Sequence, residues 1–473
     1  LDYCSSSAQI VLDGSLGPRG PLTGPDITIP AEVGQQHGGN LFHSFEQFNI
    51  HLGESATFTG PDGVRNVIGR VTGLDPSFIN GLLSSDIPGA NLFLFNPRGM
   101  IFGPHATLDI SGSFYVSTAD RLRFADRATF EAGGESTLTT AAPAAFGFKP
   151  GATPAPITVA GSHLEVPVGE TLSIIGGNLV IQGDALVDFN DIPTLDAPEG
   201  RIHLVSVASS GEVGVGAAGV HVNGFSGFGA ITISDGALLS TNGERGGTVV
   251  IRGGNLVVDR SDIFADTLGD RDGAEIGIDI VVTETFVHTH GGFITADSFG
   301  SGHAGDIRIT ARTLRMDNEA LIASGAFADG NAGHITVEAA NVILTSGAQI
   351  ESVTFDRGQG GTVTVRASET VMIAGATSDG VFPSAIRAEA LGAGNAGNVL
   401  VEGQTVMVLE GGTISSATLG SGHGGDVTVR ASGSVILSGT SPNGVLPSSI
   451  SAASLGFEGQ EIGDGGNILT QVA

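Results

Sequence analysis

Six glycines set the register of the second half of this chain: Gly305, Gly333, Gly361, Gly397, Gly425 and Gly466. Their successive spacings are 28, 28, 36, 28 and 41 residues. The text around them repeats, from "FGSGHAGDIRITARTLRMDNEALIASGA" at Phe299 to "LGSGHGGDVTVRASGSVILSG" at Leu419, and a last copy opens at Leu455. The copies stretched to 36 and 41 residues carry matching inserts, "TSDGVFPS" at Thr377–Ser384 and "SPNGVLPS" at Ser441–Ser448. Removing about eight residues restores the common step in the first of them, as expected of a loop added to a periodic unit.

Each copy holds three short runs of β type. The first alternates through Ile307/Ile309, Ile335/Val337, Val363/Val365, Val399/Val401 and Val427/Val429. The second runs through Leu314/Met316, Val342/Leu344, Val371/Ile373, Val406/Val408 and Val435/Leu437, and the third centres on Ile322, Ile350, Ile386, Ile414 and Ile450. Period-two alternation places these aliphatics on one face of each strand. Three short strands cannot bury that face alone, whereas stacked copies bury it as a continuous column. The fold class this predicts is all-β, a parallel β-helix with one coil per roughly 28 residues. The Leu/Asn frame of a leucine-rich repeat is absent, and a propeller blade needs about 40 residues in four antiparallel strands.

Upstream, "GERGGTVVIRGGNLVVDRSDIFADT" fits one coil, and "EIGIDIVVTETFVHTHGGFITADS" fits another, shifted by one residue. "ITVAGSHLEVPVGETLSIIGGNLVIQG" and "GRIHLVSVASSGEVGV" read as irregular coils. The stack is expected to begin near residue 150 or before. Three regions follow: 1–150, of different texture; 151–240, irregular coils; and 241–473, regular repeats.

Composition narrows the function. Glycine accounts for 75 of 473 residues, there is no Trp, and Lys149 is the only lysine. The net charge of −29 argues against nucleic-acid binding, which needs Lys and Arg to neutralise phosphates. With one cysteine, Cys4, no intrachain disulfide forms. No run of 18 apolar residues predicts a membrane-spanning helix. The opening "LDYCSSSAQI" lacks the basic and apolar regions of a signal peptide, and its Leu-x-x-Cys is a weak match to a lipoprotein site. A chain that stops at "GDGGNILTQVA" opens one more coil, so a truncated or continuing protein is expected.

The first 150 residues carry four apolar blocks in order: "GGNLFHSFEQFNI", "NVIGRVTGLDPSFINGLL", "ANLFLFNPRGMIFGP" and "LDISGSFYVSTADRL". Over residues 8–150 they resemble the amino-terminal secretion domain of the filamentous haemagglutinin-like exoproteins of Gram-negative two-partner secretion. The resemblance implies a right-handed parallel β-helix with an amino-terminal capping and secretion region, followed by a repetitive shaft. It implies a secreted or surface-exposed adhesin, exported unfolded across the periplasm and outer membrane through a cognate β-barrel transporter whose periplasmic domains recognise residues 1–150. The family's Asn-Pro-Asn-Gly motif falls on Asn96, Pro97, Arg98 and Gly99, with Arg98 departing from the usual Asn, and a further motif Asn falls on Asn66. "LDPS" at Leu74–Ser77 stands where some relatives carry an Asn-Pro turn. Asn96–Gly99 also reads as an ordinary β-turn with Pro at its second position.

Phe93, Phe95, Ile101 and Phe102 read as the apolar part of the first coils. Sequential folding of coils outside the cell, each burying apolar area on the one before, would bias export where no ATP is available.

Other chemistry is weakly marked. His303, His334 and His423 sit beside glycine turns about a coil or more apart, without ligand partners at short spacing, and read as solvent-facing. "FADTLGDRDGAE" at Phe264–Glu275 gathers Asp266, Asp270, Asp272 and Glu275 without the twelve-residue calcium-loop pattern, and reads as a solvated loop. Neither a metal nor a cofactor is expected. The rival readings are a polysaccharide-active enzyme, which needs grouped carboxylates or a basic residue on one face, and a structural surface filament. No coil shows a distinctive Asp/Arg/Lys group at matched strand positions. The expectation is a monomeric, non-enzymatic exoprotein whose host receptor or carbohydrate ligand is not encoded in any visible motif.

Overall fold

The computed structural model describes residues 9–184, 192–216, 219–455 and 463–472. Cys4 lies outside them. The described residues are strands and turns, with one 3₁₀ turn at Ala31–Val33 and no α-helix. The chain divides into two compact units. One comprises Leu1–Ala197, Arg201–Leu238 and Arg252–Gly254; the other comprises Pro198–Gly200, Leu239–Ile251 and Asn255–Ala473.

In the second unit, the aligned aliphatics of the repeats stand directly above one another. Ile307 pairs with Ile335, Ile335 with Val363, Val363 with Val399, and Val399 with Val427, all in parallel register. Ile322, Ile350, Ile386, Ile414 and Ile450 form the matching column of the third strand. The inner columns are sealed from solvent as far as Val429 in the first strand, Val408 in the second and Ile414 in the third. The fold is therefore the parallel β-helix that the periodicity predicts. The one-residue shift of the coil at Glu275 is a bulge: Ile276 pairs with Asp306 but Ile278 with Ile307, which leaves Gly277 unpaired.

The register glycines have a steric cause. A Cβ at Gly333, Gly361, Gly397 or Gly425 would lie 1.8–2.2 Å from the carbonyl oxygen of the equivalent glycine one coil earlier. The parallel row Gly330, Gly358, Gly394 and Gly422 is equally tight. At this corner the backbones of successive coils touch, and no side chain fits. The polar residues beside these glycines cap the ladder. His303 Nδ1 accepts the Asn331 N–H at 3.1 Å, His334 Nδ1 accepts that of Thr362 at 2.9 Å, and Asn395 Oδ1 accepts that of His423 at 2.8 Å. The three histidines are exposed, as expected, and each also supplies the next coil with an acceptor.

The first unit is a parallel β-helix of less regular coils. Its first face stacks strands Asn40–Phe48, Asn66–Val71, Asn91–Phe95, Phe114–Ser117, Thr171–Gly176 and Arg201–Ser206. Its second stacks Ser77–Ile79, Met100–Phe102, Ile157–Ala160, Leu179–Gln182 and Ala230–Ser234. The coils thus begin well before residue 150. Ile10–Asp13 pairs antiparallel with Arg19–Leu22 and with the edge of the first face, closing the open ladder of the first coil. Gly211–Gly214, expected in a coil, instead joins an antiparallel sheet outside the helix with Pro143–Phe148, Arg121–Phe124, Thr129–Glu131 and His221–Asn223.

That outer sheet explains the Phe-rich blocks. Leu41, Val67, Leu92, Phe114, Leu172 and Ile202 form an inner column of the first face. One residue on, Phe42, Ile68 and Phe93 point outward, and so does Phe95. All four are buried with Leu122, Phe124, Phe130, Phe146, Phe148, Ile175 and Val205. Both faces of "NLFLF" are therefore covered, which an alternating pattern alone does not reveal. Edge-to-face rings such as Phe95 with Phe130 and Phe42 with Phe130, with centroids 6.0 and 5.1 Å apart, each add about 0.5–1.5 kcal/mol beyond area burial. Ile101 departs from expectation. It is 37% exposed, because in Met100–Phe102 its neighbours Met100 and Phe102 take the inner positions.

Candidate functional site

Strand Asn91–Phe95 ends on a fully buried asparagine. Asn96 Nδ2 donates to the Ser77 hydroxyl at 3.0 Å and to the Asp75 carbonyl at 3.1 Å. Its Oδ1 accepts the Arg98 N–H at 2.9 Å, and the Gly99 N–H returns to the Asn96 carbonyl at 3.1 Å. Asn96, Pro97, Arg98 and Gly99 thus form one β-turn closed by an Asx bond, with Pro at the position its fixed φ favours. Gly99 has φ of +120°, a conformation side-chain-bearing residues rarely adopt. Arg98 is exposed and contributes its backbone N–H to the turn. Replacing Asn by Arg there leaves the turn's hydrogen bonds in place, since they run through the main chain and Asn96. The "LDPS" segment meets this turn through Asp75 and Ser77, while Leu74 is 80% exposed.

Asn66 lies elsewhere, at the start of its strand, and belongs to a ladder. Asn40, Asn66 and Asn91 stack in register on three successive coils. Asn66 Nδ2 donates to Asn40 Oδ1 at 2.8 Å, and Asn91 Nδ2 donates to Asn66 Oδ1 at 3.1 Å. Asn91 Oδ1 accepts the Ser113 N–H at 3.0 Å, and the Ser113 hydroxyl accepts the Thr171 N–H at 3.0 Å. At the other end, Asn40 Nδ2 donates to the carbonyls of Thr139 and Ala141, at 2.9 and 2.7 Å, tying the ladder to the segment that leads into the outer sheet. Each amide fixes the rotation of the next coil, and removing one leaves its neighbours' buried groups unpaired. The structure therefore separates the sequence-marked residues into two places: Asn96–Gly99 at a turn, and Asn66 in the corner ladder. Asn40 and Asn91 were legible too, since each immediately precedes an apolar run as Asn66 does, at spacings of 26 and 25 residues.

Arg70 is the functional-looking residue that sequence reading missed. It faces outward between Ser44 and Phe95 and is buried under the outer sheet. Its Nε donates to the Ser44 hydroxyl at 2.8 Å, its Nη1 to the Ser136 hydroxyl at 2.7 Å and to the Glu131 carbonyl, and its Nη2 to the Ser15 hydroxyl at 3.0 Å. The guanidinium lies 4.3 Å from the centroid of the Phe130 ring. Burial lowers its pKa, against the pull of Asp13 and Glu131. Asp13 in turn accepts the Ser44 and Thr72 hydroxyls at 2.6 and 2.9 Å. One side chain thereby joins the capping strand, two coils and the outer sheet. Its signal was a lone charge inside the apolar run "NVIGRV". No group of three or more His, Cys, Asp or Glu placed to hold a metal occurs among the described residues.

These features, a capped first coil, an asparagine-built turn and an outer antiparallel sheet, define a capped parallel β-helical domain with an accessory sheet. The TPS secretion domain model matches residues 8–258, more than half of the chain, and the chain belongs to that family. It is thus an exoprotein exported across the outer membrane of Gram-negative bacteria by two-partner secretion. Among solved structures, the HMW1 secretion domain from Haemophilus influenzae superposes with a TM-score of 0.51 at 15% sequence identity, over 95% of this chain and 96% of that one. That likeness is one of fold. No curated protein matches the sequence.

Proposed function

We propose that residues 1–150 address the chain to the periplasmic domains of a cognate outer-membrane β-barrel transporter, with Asn66, Asn96, Pro97, Arg98 and Gly99 as the motif residues of that step. The repeats of 241–473 then form a stalk that presents a binding region at the cell surface, as in an adhesin. The observation that carries this reading is the asparagine-built register of the first coils. Asn40, Asn66, Asn91 and Asn96 hold four positions that hydrophobic burial alone leaves free to rotate or slip. A chain that emerges unfolded from a pore needs its first coil to form without a template, and every later coil can then add to a finished one. Arg98, exposed at the turn, is free to meet the transporter while the turn's own bonds stay closed.

The test is genetic. The chain is expressed behind a Sec leader with and without the transporter gene that accompanies it. The expected result is release into the medium only when the transporter is present, with periplasmic retention otherwise. Equal release in both strains would overturn the proposal.

A further inference from the structure

The third strand of the repeat coils has an outward face whose chemistry the export role does not use. Gln349–Thr354, Ala385–Ala390, Thr413–Thr418 and Ser449–Ser454 stack in parallel register. Their inward positions carry Ile350, Ile386 and Ile414. In register, the outward positions carry Gln349, Ala385, Thr413 and Ser449, then Glu351, Arg387, Ser415 and Ser451, and then Val353, Glu389, Ala417 and Ala453. Glu351 is paired directly with Arg387 on the next coil. Arg387 Nε lies 2.5 Å from Glu351 Oε2, Nη2 lies 2.8 Å from Gln349 Oε1, and Nη1 lies 3.6 Å from Glu389 Oε2. The Thr413 and Ser449 hydroxyls are 2.8 Å apart.

This polar strip is recessed. The side chains of Glu351, Arg387 and Glu389 are 14%, 24% and 18% exposed. Apolar groups that are far more exposed bracket it along the chain. Just before the strip come the two inserts, with Val381 and Phe382 each 56% and Val445 69% exposed. Just after it comes a stripe of Phe327, Phe355 and Leu391. The Phe327 and Phe355 rings stack at 4.6 Å and 10°.

The inserts are built alike. Phe382 N–H bonds the Thr377 hydroxyl at 3.1 Å as Leu446 N–H bonds that of Ser441 at 2.9 Å. The Asp379 and Asn443 side chains each accept the N–H two residues on, at 3.0 Å. They also touch: Asn443 Nδ2 donates to the Gly380 carbonyl at 3.1 Å. Two loops held this firmly hold their apolar tips out by construction.

We infer that this trough, with a hydroxyl, amide and carboxylate floor and apolar rims, binds a neutral oligosaccharide. Three observations select that class. The floor presents donors and acceptors in a row about 14 Å long over four coils, which suits a polymer of hydroxyl groups. Its one cation is held between two carboxylates in a chain of net charge −29, which disfavours an anionic polymer. The apolar groups are split into two rims by polar residues, which suits the CH faces of sugars better than one continuous apolar protein surface. The inference rests on the shaft being displayed at the surface.

The test is calorimetric titration of the purified chain with neutral hexasaccharides of β-linked glucose, mannose, galactose and N-acetylglucosamine, and with an oligogalacturonate as the acidic control. The expected result is binding of at least one neutral hexasaccharide. That binding weakens at least tenfold in Phe382→Ser/Val445→Ser, whose side chains are exposed and leave the core intact, and in Ser415→Leu, which fills the floor. Binding of no neutral glycan, of the acidic one alone, or unchanged binding in both variants would overturn it. Transporter-dependent release of the same variants is scored separately. Normal release beside any of those results rejects the trough and leaves the export reading standing.

Discussion

The two units build one architecture by different means. In the repeats, every coil meets the next through the same contacts: aliphatic on aliphatic inside, glycine on glycine at the corner, and a side-chain acceptor on the next N–H at the turn. Stability there is a sum of similar interfaces. In the amino-terminal unit almost nothing repeats. Its coils are held by single-copy devices: the asparagine ladder, the Asn96 turn, the Arg70 node and an outer sheet over a Phe cluster. A repeating interface can grow once started but does not specify where to start. A set of unique contacts does.

The comparison breaks most sharply at the glycine corner. Gly361→Val places a side chain on the Gly333 carbonyl. It should destabilise the carboxy-terminal unit by about 3 kcal/mol or more while the amino-terminal unit melts as before. Differential scanning calorimetry of the two transitions measures this. Next in size is Phe130→Ala. It removes the ring beneath Arg70 and its contacts to Phe42 and Phe95. It should cost the amino-terminal unit about 3–5 kcal/mol, read as a shift of that transition alone.

Acid sharpens the contrast. Burial lowers the imidazole pKa of His43 and of His203 from 6.5 to about 4, and both lie in the amino-terminal unit. The unfolded chain takes up these protons near pH 6.5, so the stabilisation is complete above that pH and is lost as pH falls towards 4. By pH 5 each histidine should cost about 2 kcal/mol. In the carboxy-terminal unit, buried His288 has the same lowered value, but Asp297 is raised by burial, and further by Asp266, to about 8. Asp297 acts in the opposite sense: its contribution is present below pH 3.8 and is lost as pH rises towards 8. Between pH 7 and 5 the amino-terminal unit should therefore lose more stability, as denaturant midpoints at the two pH values would show. The smallest effect is expected at Arg98. Its exposed side chain bears no load in the turn, so Arg98→Asn should change stability by less than about 0.5 kcal/mol in the same unfolding assay.

How much of this the sequence disclosed follows the same division. The repeat coils were legible to the register of single residues, because period-two alternation and a fixed step identify both the inner face and its partner. The bulge at Gly277 was visible as a one-residue shift. The outer sheet was not, because Phe93 and Phe95 are buried by strands more than 25 residues away, and an apolar residue on an outward face looks the same whether or not something covers it. Asp266 was misread for a related reason. In a row of acids it resembles its solvated neighbours Asp270 and Asp272. In the fold it is buried and accepts the Thr295 hydroxyl and the Asp297 N–H, each at 2.8 Å. The motif turn was legible from Pro97 and Gly99, whereas Arg70 depended on partners in three separate segments.

The central claim is that export is encoded in the single-copy contacts of the first coils and not in the repeats. Transporter-dependent release into the medium, followed by pulse-labelling in one strain, tests it with three variants: Asn66→Ala, Asn96→Ala and Gly361→Val. The account predicts that both asparagine variants are released at least several-fold more slowly than the parent chain, while Gly361→Val starts across at the parental rate. Parental release of both asparagine variants would contradict it.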